Sequence, residues 1–373
     1  MKQDIFIIEN YNYGGTKWKN IAILFKKNFW SAFLYSENLE KIAKYNKVNL
    51  FILDTSVDNV LDKRTYGMNQ KEFEQYYISN KIKFEEAYGA LKNIIKENKI
   101  DLVLFCANLI PFKPEFLYEI KKIAKIASWV QDDDVYRRGQ QISKPYVKYY
   151  DYSFCSAVYY KWDKILLKDK YKERWAKTTE FIPLGLYYHK FDENREIKYD
   201  NRDIDIVYIW WAYPKKILRI FKLKKHFGDR MRIYWRWWIS QTQRKNFLLK
   251  IALWWYNVWE IKSLTQEEFV DIYHRTKIWF NLHQEYWPTN ARMYELPWNW
   301  VMQICDNEKW LNKLFELDKE VVGYKTLNEA IKKIEYYLVH DNERIKIAKA
   351  GNKRVQNYKI EKCFEKIFNT VFK

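Results

Sequence analysis

Strand-like and helix-like segments alternate along almost the whole chain, and no other feature constrains its fold so tightly. Short apolar runs fall at Asp4–Glu9, Val48–Leu53, Asp101–Cys106, Ile126–Val130, Tyr152–Cys155 and Thr179–Ile182. Between them, Ser31–Lys44, Lys71–Asn98 and Glu115–Lys125 space their apolar residues with a helical period. Strands separated by helices of this length form βαβ units, whose strands pair in parallel. The turn Asn12-Tyr13-Gly14-Gly15 follows the first strand and makes Gly14 and Gly15 candidates for close approach to a substrate.

The polar stretch Tyr188–Asp203 has no apolar period and reads as a linker, after which the alternation restarts. Strands are expected at Ile204–Ile209, Met231–Tyr234, Lys277–Leu282, Val301–Cys305 and Glu320–Tyr324. Helices are expected at Pro214–Phe227, Gln266–Arg275, Asn290–Leu296, Leu327–Leu338, Asn342–Gln356 and Ile360–Phe372. The expected architecture is α/β, with two Rossmann-like, doubly wound domains facing across a cleft: residues 1–187, a linker at 188–203, residues 204–340, and C-terminal helices from 341 to 373. In such sheets ligands bind beyond the carboxyl ends of the strands.

Lys and Arg number 66 against 47 Asp and Glu, a formal net charge of +19. Nucleic acid, an anionic membrane surface or a phosphorylated substrate would each suit that charge. A lysine-rich proteome would also produce it, and the abundant Ile, Asn, Tyr and Phe fit that plainer reading. No apolar run approaches the ~18 residues of a spanning helix, and the N-terminus lacks the small-residue cleavage site of a signal peptide. Cys106, Cys155, Cys305 and Cys363 are widely spaced and form no Cys-x-x-Cys pair. That argues against a disulfide framework or zinc site and for a reducing cytoplasm. One ratio is anomalous: 18 Trp stand against 9 Gly in 373 residues, where Gly alone usually supplies about 7% of a chain.

The stretch Tyr273-His-Arg-Thr-Lys-Ile-Trp-Phe-Asn-Leu-His283 is followed by Arg292-Met-Tyr-Glu295 and Val301-Met-Gln-Ile-Cys-Asp306. Glu320-Val-Val-Gly-Tyr324 and Asn342-Glu-Arg-Ile-Lys-Ile-Ala-Lys-Ala-Gly351 come next. In order and spacing these resemble the C-terminal domain of the CgeB-like, spore-maturation-type glycosyltransferases of the GT-B superfamily. The resemblance runs from Ile204 to the end. Trp129-Val-Gln-Asp-Asp133 and Ile182-Pro-Leu-Gly185 resemble the family's first domain more weakly.

The resemblance implies a GT-B enzyme. Its C-terminal domain would bind a nucleotide-sugar, UDP- or GDP-linked, and its N-terminal domain a glycan, lipid-linked or protein acceptor, in surface polysaccharide or glycoconjugate synthesis. The last helix would pack back on the N-terminal domain. The enzyme would be cytoplasmic, or peripheral on an anionic membrane surface, with no further cofactor, no metal and no nucleic-acid partner. Glu295 matches the family carboxylate that accepts from a ribose diol, a role open to any suitably placed acidic side chain. A carboxylate at a cleft would contribute little to the core. Arg292, one turn earlier, would meet phosphate or pair with Glu295. The free N–H groups of the short helix beginning near Asn290 would face a pyrophosphate. Lys215 and Lys216 match phosphate-contacting cations, which would neutralise the leaving diphosphate without metal. His283 would touch the donor or fill the core.

Two departures matter. Seven residues before Glu295, where retaining relatives often carry a first Glu, stands Pro288, with Glu285 three further back, so the anomeric outcome stays open. The general base of an inverting reaction would come from Asp132, Asp133 or Asp134, each also readable as a helix cap. The same run raises the GT-A alternative, in which an Asp-x-Asp holds Mn²⁺ or Mg²⁺.

Tryptophan stands where the family has glycine: at Trp300 after Glu295, at Trp210-Trp211 and Trp235 after two strands, and at Trp175. Glycine serves such turns because they need positive φ or close backbone approach. A gene that reads UGA as glycine, translated with UGA as tryptophan, would give this pattern. Keeping only Trp129 and Trp162 as tryptophan would bring glycine to about 25 residues, near the usual share. The non-enzyme alternative is a basic, aromatic-rich single-strand nucleic-acid binder. No RNP-type or helix-turn-helix signature supports it.

Overall fold

The structure, a computed structural model, describes residues 7–13, 18–25, 36–54, 70–106, 114–130, 147–156, 167–173, 176–187, 199, 202–209, 214–234, 264, 266–283, 290–306 and 311–373. The chain divides into two compact units. One holds Met1–His189 and Tyr358–Lys373, and the other Lys190–Gln284 and Asn290–Asn357.

Seven described strands form the first unit's sheet: β1 (Ile7–Tyr11), β2 (Lys19–Phe25), β3 (Val48–Asp54), β4 (Leu102–Cys106), β5 (Lys125–Val130), β6 (Tyr152–Cys155) and β7 (Thr178–Phe181). Their order is β1-β3-β2-β4-β5-β6-β7. β1 pairs antiparallel with β3, and every other pairing is parallel. β3 and β4 are buried at every position, as strands covered on both faces must be. On one face the helix Lys81–Glu97 contributes Phe84, Ala87, Tyr88, Leu91 and Ile95 to a core that also holds Val103, Phe105 and Ile126.

The helical period over Lys71–Asn98 resolves into two helices, Gln70–Ser79 and Lys81–Glu97. Asn80 interrupts it: its side-chain amide donates to Tyr76 O at 2.8 Å and its N–H to Tyr77 O at 3.1 Å. An Asn side chain that competes in this way for backbone carbonyls favours a corner over continued helix. β2, unanticipated from the sequence, lies inside the sheet between β3 and β4.

The helix Ile360–Phe372 packs into this first unit. Phe364 meets Trp129 edge-to-face at 5.5 Å, and Asn46 donates to Glu361 O at 3.0 Å. Near its end, the Lys125 ammonium donates to Val371 O at 2.6 Å, where a cation complements a helix C-terminus. Gly185, at φ +83°, precedes Leu186, which bonds into the same junction: its N–H donates to Tyr358 O at 2.8 Å and its carbonyl accepts from the Ile360 N–H at 3.2 Å. A Cβ on Gly185 would stand 3.1 Å from Cys363 Sγ and 3.2 Å from Tyr358 O, so both the backbone conformation and the space call for glycine.

Among the described residues the second unit's sheet is parallel at every pairing and contains β8 (Ile204–Ile209), β9 (Met231–Tyr234), β10 (Thr276–Asn281), β11 (Met302–Asp306) and β12 (Val322–Tyr324). The order is β12-β11-β10-β8-β9, so the strand sequence reverses between β8 and β10. In a doubly wound sheet this switch point marks the place, at the carboxyl ends, where a ligand can enter. Ile206, Tyr208, Phe221, Ile278, Phe280, Ile304, Val322 and Ile334 form one core on the sheet. Among the described residues no helix is long and apolar enough to cross a membrane.

Candidate functional site

β10 and β11 run in register, Asn281 opposite Cys305, so their carboxyl ends lie level. His283, two residues past β10, is tied to Asp306, the last residue of β11. Asp306 Oδ1 accepts from the His283 N–H at 3.0 Å and lies 2.6 Å from the ring Nδ1. A carboxylate only accepts, so this contact puts the imidazole proton on Nδ1. Both residues belong to one unit and are well covered, His283 at 4% exposure.

Beside them runs a chain of amides. Asn281 and Asn290 exchange hydrogen bonds at 3.3 and 3.0 Å, Asn281 also donates to Gln303 at 3.3 Å, and Gln303 donates to Met293 O at 3.3 Å. Asn290 thus fastens the first turn of the helix Arg292–Trp298 to the strands. Its Oδ1 accepts from the Met293 N–H as well. The N–H groups of Met293, Tyr294 and Glu295 bond to the carbonyls of Asn290 and Ala291 at 3.0–3.1 Å. The expectation that these groups are free for a pyrophosphate therefore fails: the turn that starts the helix satisfies them first.

Every residue from Arg292 to Pro297 is buried. Arg292 lies with its guanidinium carbon 5.7 Å from the centroid of the Phe269 ring, a cation over an aromatic face. Glu295, 4% exposed, accepts from the Tyr273 hydroxyl at 2.6 Å. The solvated carboxylate expected at a cleft is thus an interior one, and its replacement will be felt by the fold. Tyr208 on β8 approaches from the other side of the switch point. Burial pushes its phenol pKa well up, with Arg292 opposing and Asp306 adding to the rise. Burial does the same to Tyr324 on β12, again reinforced by Asp306.

Sequence reasoning named Arg292, Glu295, His283 and Asn290: His283 and Asn290 lie at the carboxyl ends of β10 and β11, Arg292 begins the helix that follows, and Glu295 lies one turn along it against Tyr273. Sequence reasoning missed Tyr273, Asp306, Asn281, Gln303 and Tyr208. Asn281 and Asp306 end apolar strands, a signal open to reading, whereas Tyr208 and Gln303 lie within strands and Tyr273 within a helix. Lys215 and Lys216 lie in the first turn of the helix Pro214–Phe227, and their side chains fall outside what the structure describes. Gly14, Gly15, Asp132, Asp133 and Asp134 lie outside the described residues, as do Trp175, Trp210, Trp211 and Trp235.

Trp300 is described, and its backbone has φ +56°. Its N–H bonds to Pro297 O at 3.0 Å and the next N–H, of Val301, reaches back to Leu296 O at 3.0 Å. That pair of bonds defines a Schellman helix ending, whose left-handed position is usually glycine. Trp279 contrasts with it. It sits inside β10, fully buried, with its ring stacked 4.9 Å from Tyr273, and nothing in its backbone or packing calls for glycine.

Residues 223–367 match the family model described as glycosyl transferase-like. A search of curated proteins found no match. Among solved structures the chain resembles sucrose-phosphate synthase from Thermosynechococcus elongatus, with TM-score 0.64, 11% identity, and 95% of this chain and 99% of that one covered. It also resembles HepE of Anabaena in complex with UDP and glucose, with TM-score 0.60, 10% identity, and 95% and 99% covered. A glycosyltransferase from Rickettsia africae gives TM-score 0.62, 14% identity, and 95% and 99% covered. The chain has an α/β fold of the GT-B type, two Rossmann-like units with largely parallel sheets, and the match to the glycosyl transferase-like model falls in its second half.

Proposed function

We propose that the chain moves a sugar from a UDP- or GDP-sugar to a glycan, glycolipid or protein acceptor, in the manner of the CgeB-like enzymes. The unit carrying β8–β12 binds the donor, and the unit carrying β1–β7 the acceptor. One observation carries the reading: His283 and Asp306 meet at the carboxyl ends of β10 and β11, beside the point where the strand order reverses, and Asn290 fastens there the first turn of the buried helix that bears Arg292 and Glu295. A nucleoside diphosphate supplies groups complementary to an arginine and a glutamate. Its ribose diol donates to Glu295 and its phosphates attract Arg292. HepE's complex with UDP and glucose makes UDP the first nucleotide to test.

In this reading Lys215 and Lys216 neutralise the leaving diphosphate without metal or further cofactor. Asp132 or Asp133 serves as base if the reaction inverts. Gly14 and Gly15 let the acceptor approach the backbone. The acceptor belongs to surface polysaccharide or glycoconjugate synthesis, and the basic surface favours cytoplasmic work beside an anionic membrane. The φ of Trp300 supports the idea that the gene reads UGA as glycine. UGG codons at Trp210, Trp235 and Trp300 would end that idea.

The deciding experiment is nucleotide binding by thermal shift and calorimetry. UDP or GDP at a hundred times its Kd should stabilise the protein by about 2.7 kcal/mol. Glu295→Gln should weaken that nucleotide about tenfold, the removal of one to two charge-assisted bonds. Indifference to both nucleotides, together with steeply salt-dependent oligonucleotide binding, would overturn the reading in favour of a nucleic-acid binder.

A further inference from the structure

The Tyr273 hydroxyl lies 2.6 Å from Glu295 Oε2, and both side chains are buried. Tyr273 belongs to the helix Gln266–Arg275 and Glu295 to the helix Arg292–Trp298, so the bond joins two elements. The tyrosine ring cannot easily swing away. It stacks on Trp279 at 4.9 Å and 28°, and meets Phe269 edge-on at 4.8 Å. Its backbone is fixed as well. Arg202, 4% exposed, donates to Tyr273 O at 3.1 Å, to Thr276 O, and to Asn299 O at 2.9 Å. One guanidinium therefore holds the C-terminal carbonyls of both helices, the ends at which a cation is favoured. Burial lowers its pKa to about 10, with Arg344 adding to the fall and Tyr199 opposing it, so it remains charged at neutral pH.

We infer that Tyr273 is a positioning residue: its hydroxyl fixes the Glu295 carboxylate in the orientation that receives the ribose diol of the donor. The inference rests on the donor-site reading given above. A carboxylate has about four acceptor positions on its two oxygens, and the Tyr273 bond orients the group by occupying one of them. A preoriented acceptor spares the donor the cost of ordering it on binding. Arg202 stands behind the arrangement by holding the two helices at the spacing the bond needs.

The test is Tyr273→Phe in the full chain, which keeps the ring and its two aromatic contacts and removes only the hydroxyl. UDP and GDP affinities are measured by calorimetry beside Glu295→Gln and the packing control Trp279→Phe. The nucleotide that wild type binds should bind Tyr273→Phe about five- to tenfold more weakly. The donor KM for sugar-nucleotide hydrolysis should rise by a similar factor, while kcat stays within about twofold. Trp279→Phe, which disturbs the same packing, should leave nucleotide affinity within about twofold. In Tyr273→Phe/Glu295→Gln the loss should equal that of Glu295→Gln alone, because the hydroxyl acts through the carboxylate. If Glu295→Gln weakens binding and Tyr273→Phe does not, the positioning role is wrong and the donor site stands. If neither variant changes binding, the donor site itself is wrong. Should Tyr273→Phe fail to fold with the buried Glu295 charge kept, the double variant removes that charge. Its affinity against Glu295→Gln then decides, a further loss beyond about twofold overturning the inference and equality supporting it.

Discussion

Replacing Trp300 by Gly and, separately, by Ala isolates what its backbone costs. Both variants remove the same indole, together with its edge-on contact to Tyr199 at 6.4 Å, so side-chain losses nearly cancel between them. What remains is the price of φ +56°. A residue with a Cβ pays roughly 1–2 kcal/mol in the left-handed region, and glycine does not. Elsewhere glycine is the worse residue by roughly 0.5–1 kcal/mol, through the freedom it loses on folding. At position 300 the strain should dominate, leaving Trp300→Gly more stable than Trp300→Ala by about 1 kcal/mol. Trp279 is the internal control: in the middle of β10 the order should reverse, with the Ala variant the more stable. The assay is urea unfolding of all four proteins, read by tyrosine fluorescence and far-UV circular dichroism. An Ala variant at 300 as stable as the Gly variant would falsify the Schellman assignment, and with it the structural support for a native glycine there.

Three further outcomes follow from the same geometry. Gly351→Ala should destabilise the protein by about 1–3 kcal/mol, the usual cost of overpacking, because a Cβ there would stand 2.6 Å from Glu320 O; thermal unfolding measures it. EDTA should leave donor hydrolysis intact if protein cations neutralise the diphosphate. Activity abolished by the chelator and restored by Mn²⁺ would move the chemistry to Asp132–Asp134. The four cysteines are all buried, and burial pushes the Cys363 thiol up to about 12 and raises those of Cys106 and Cys305 strongly as well. A thiol reagent should therefore label none in the native protein at pH 8 and four in urea; native labelling of any would contradict the described packing.

The period of the sequence located most strands and helices of both sheets because buried parallel strands are short, continuous apolar runs. It passed over β2 for the same reason. Ile21-Ala22-Ile23-Leu24 is too brief for an apolar run to declare itself strand or helix, and only pairing to β3 and β4 decides it. The site was half legible. Glu295 and Arg292 stand three apart on one helix, a spacing that can be read directly. Tyr273 lies 22 residues from Glu295 and His283 lies 23 from Asp306, and those partnerships exist only once helix and strand ends are brought level. The burial of Glu295 was likewise invisible, since an acidic residue in a helix ordinarily faces water.

The route of the backbone has a consequence for how the protein is made. The helix Ile360–Phe372 completes the first unit with Ile360, Phe364, Ile367, Phe368 and Val371. It leaves the ribosome only after every strand of the second sheet has been synthesised. Until then the surface around Trp129 and the helix Ser36–Asn46 lacks its cover, and a nascent chain at 5–20 residues per second carries that exposed apolar face for roughly ten to forty seconds. The second unit, whose strands are all in place by Tyr324, can close before the first. Order of folding thus runs against order of synthesis, and a premature stop anywhere in the last helix leaves the earliest-made part of the molecule unfinished.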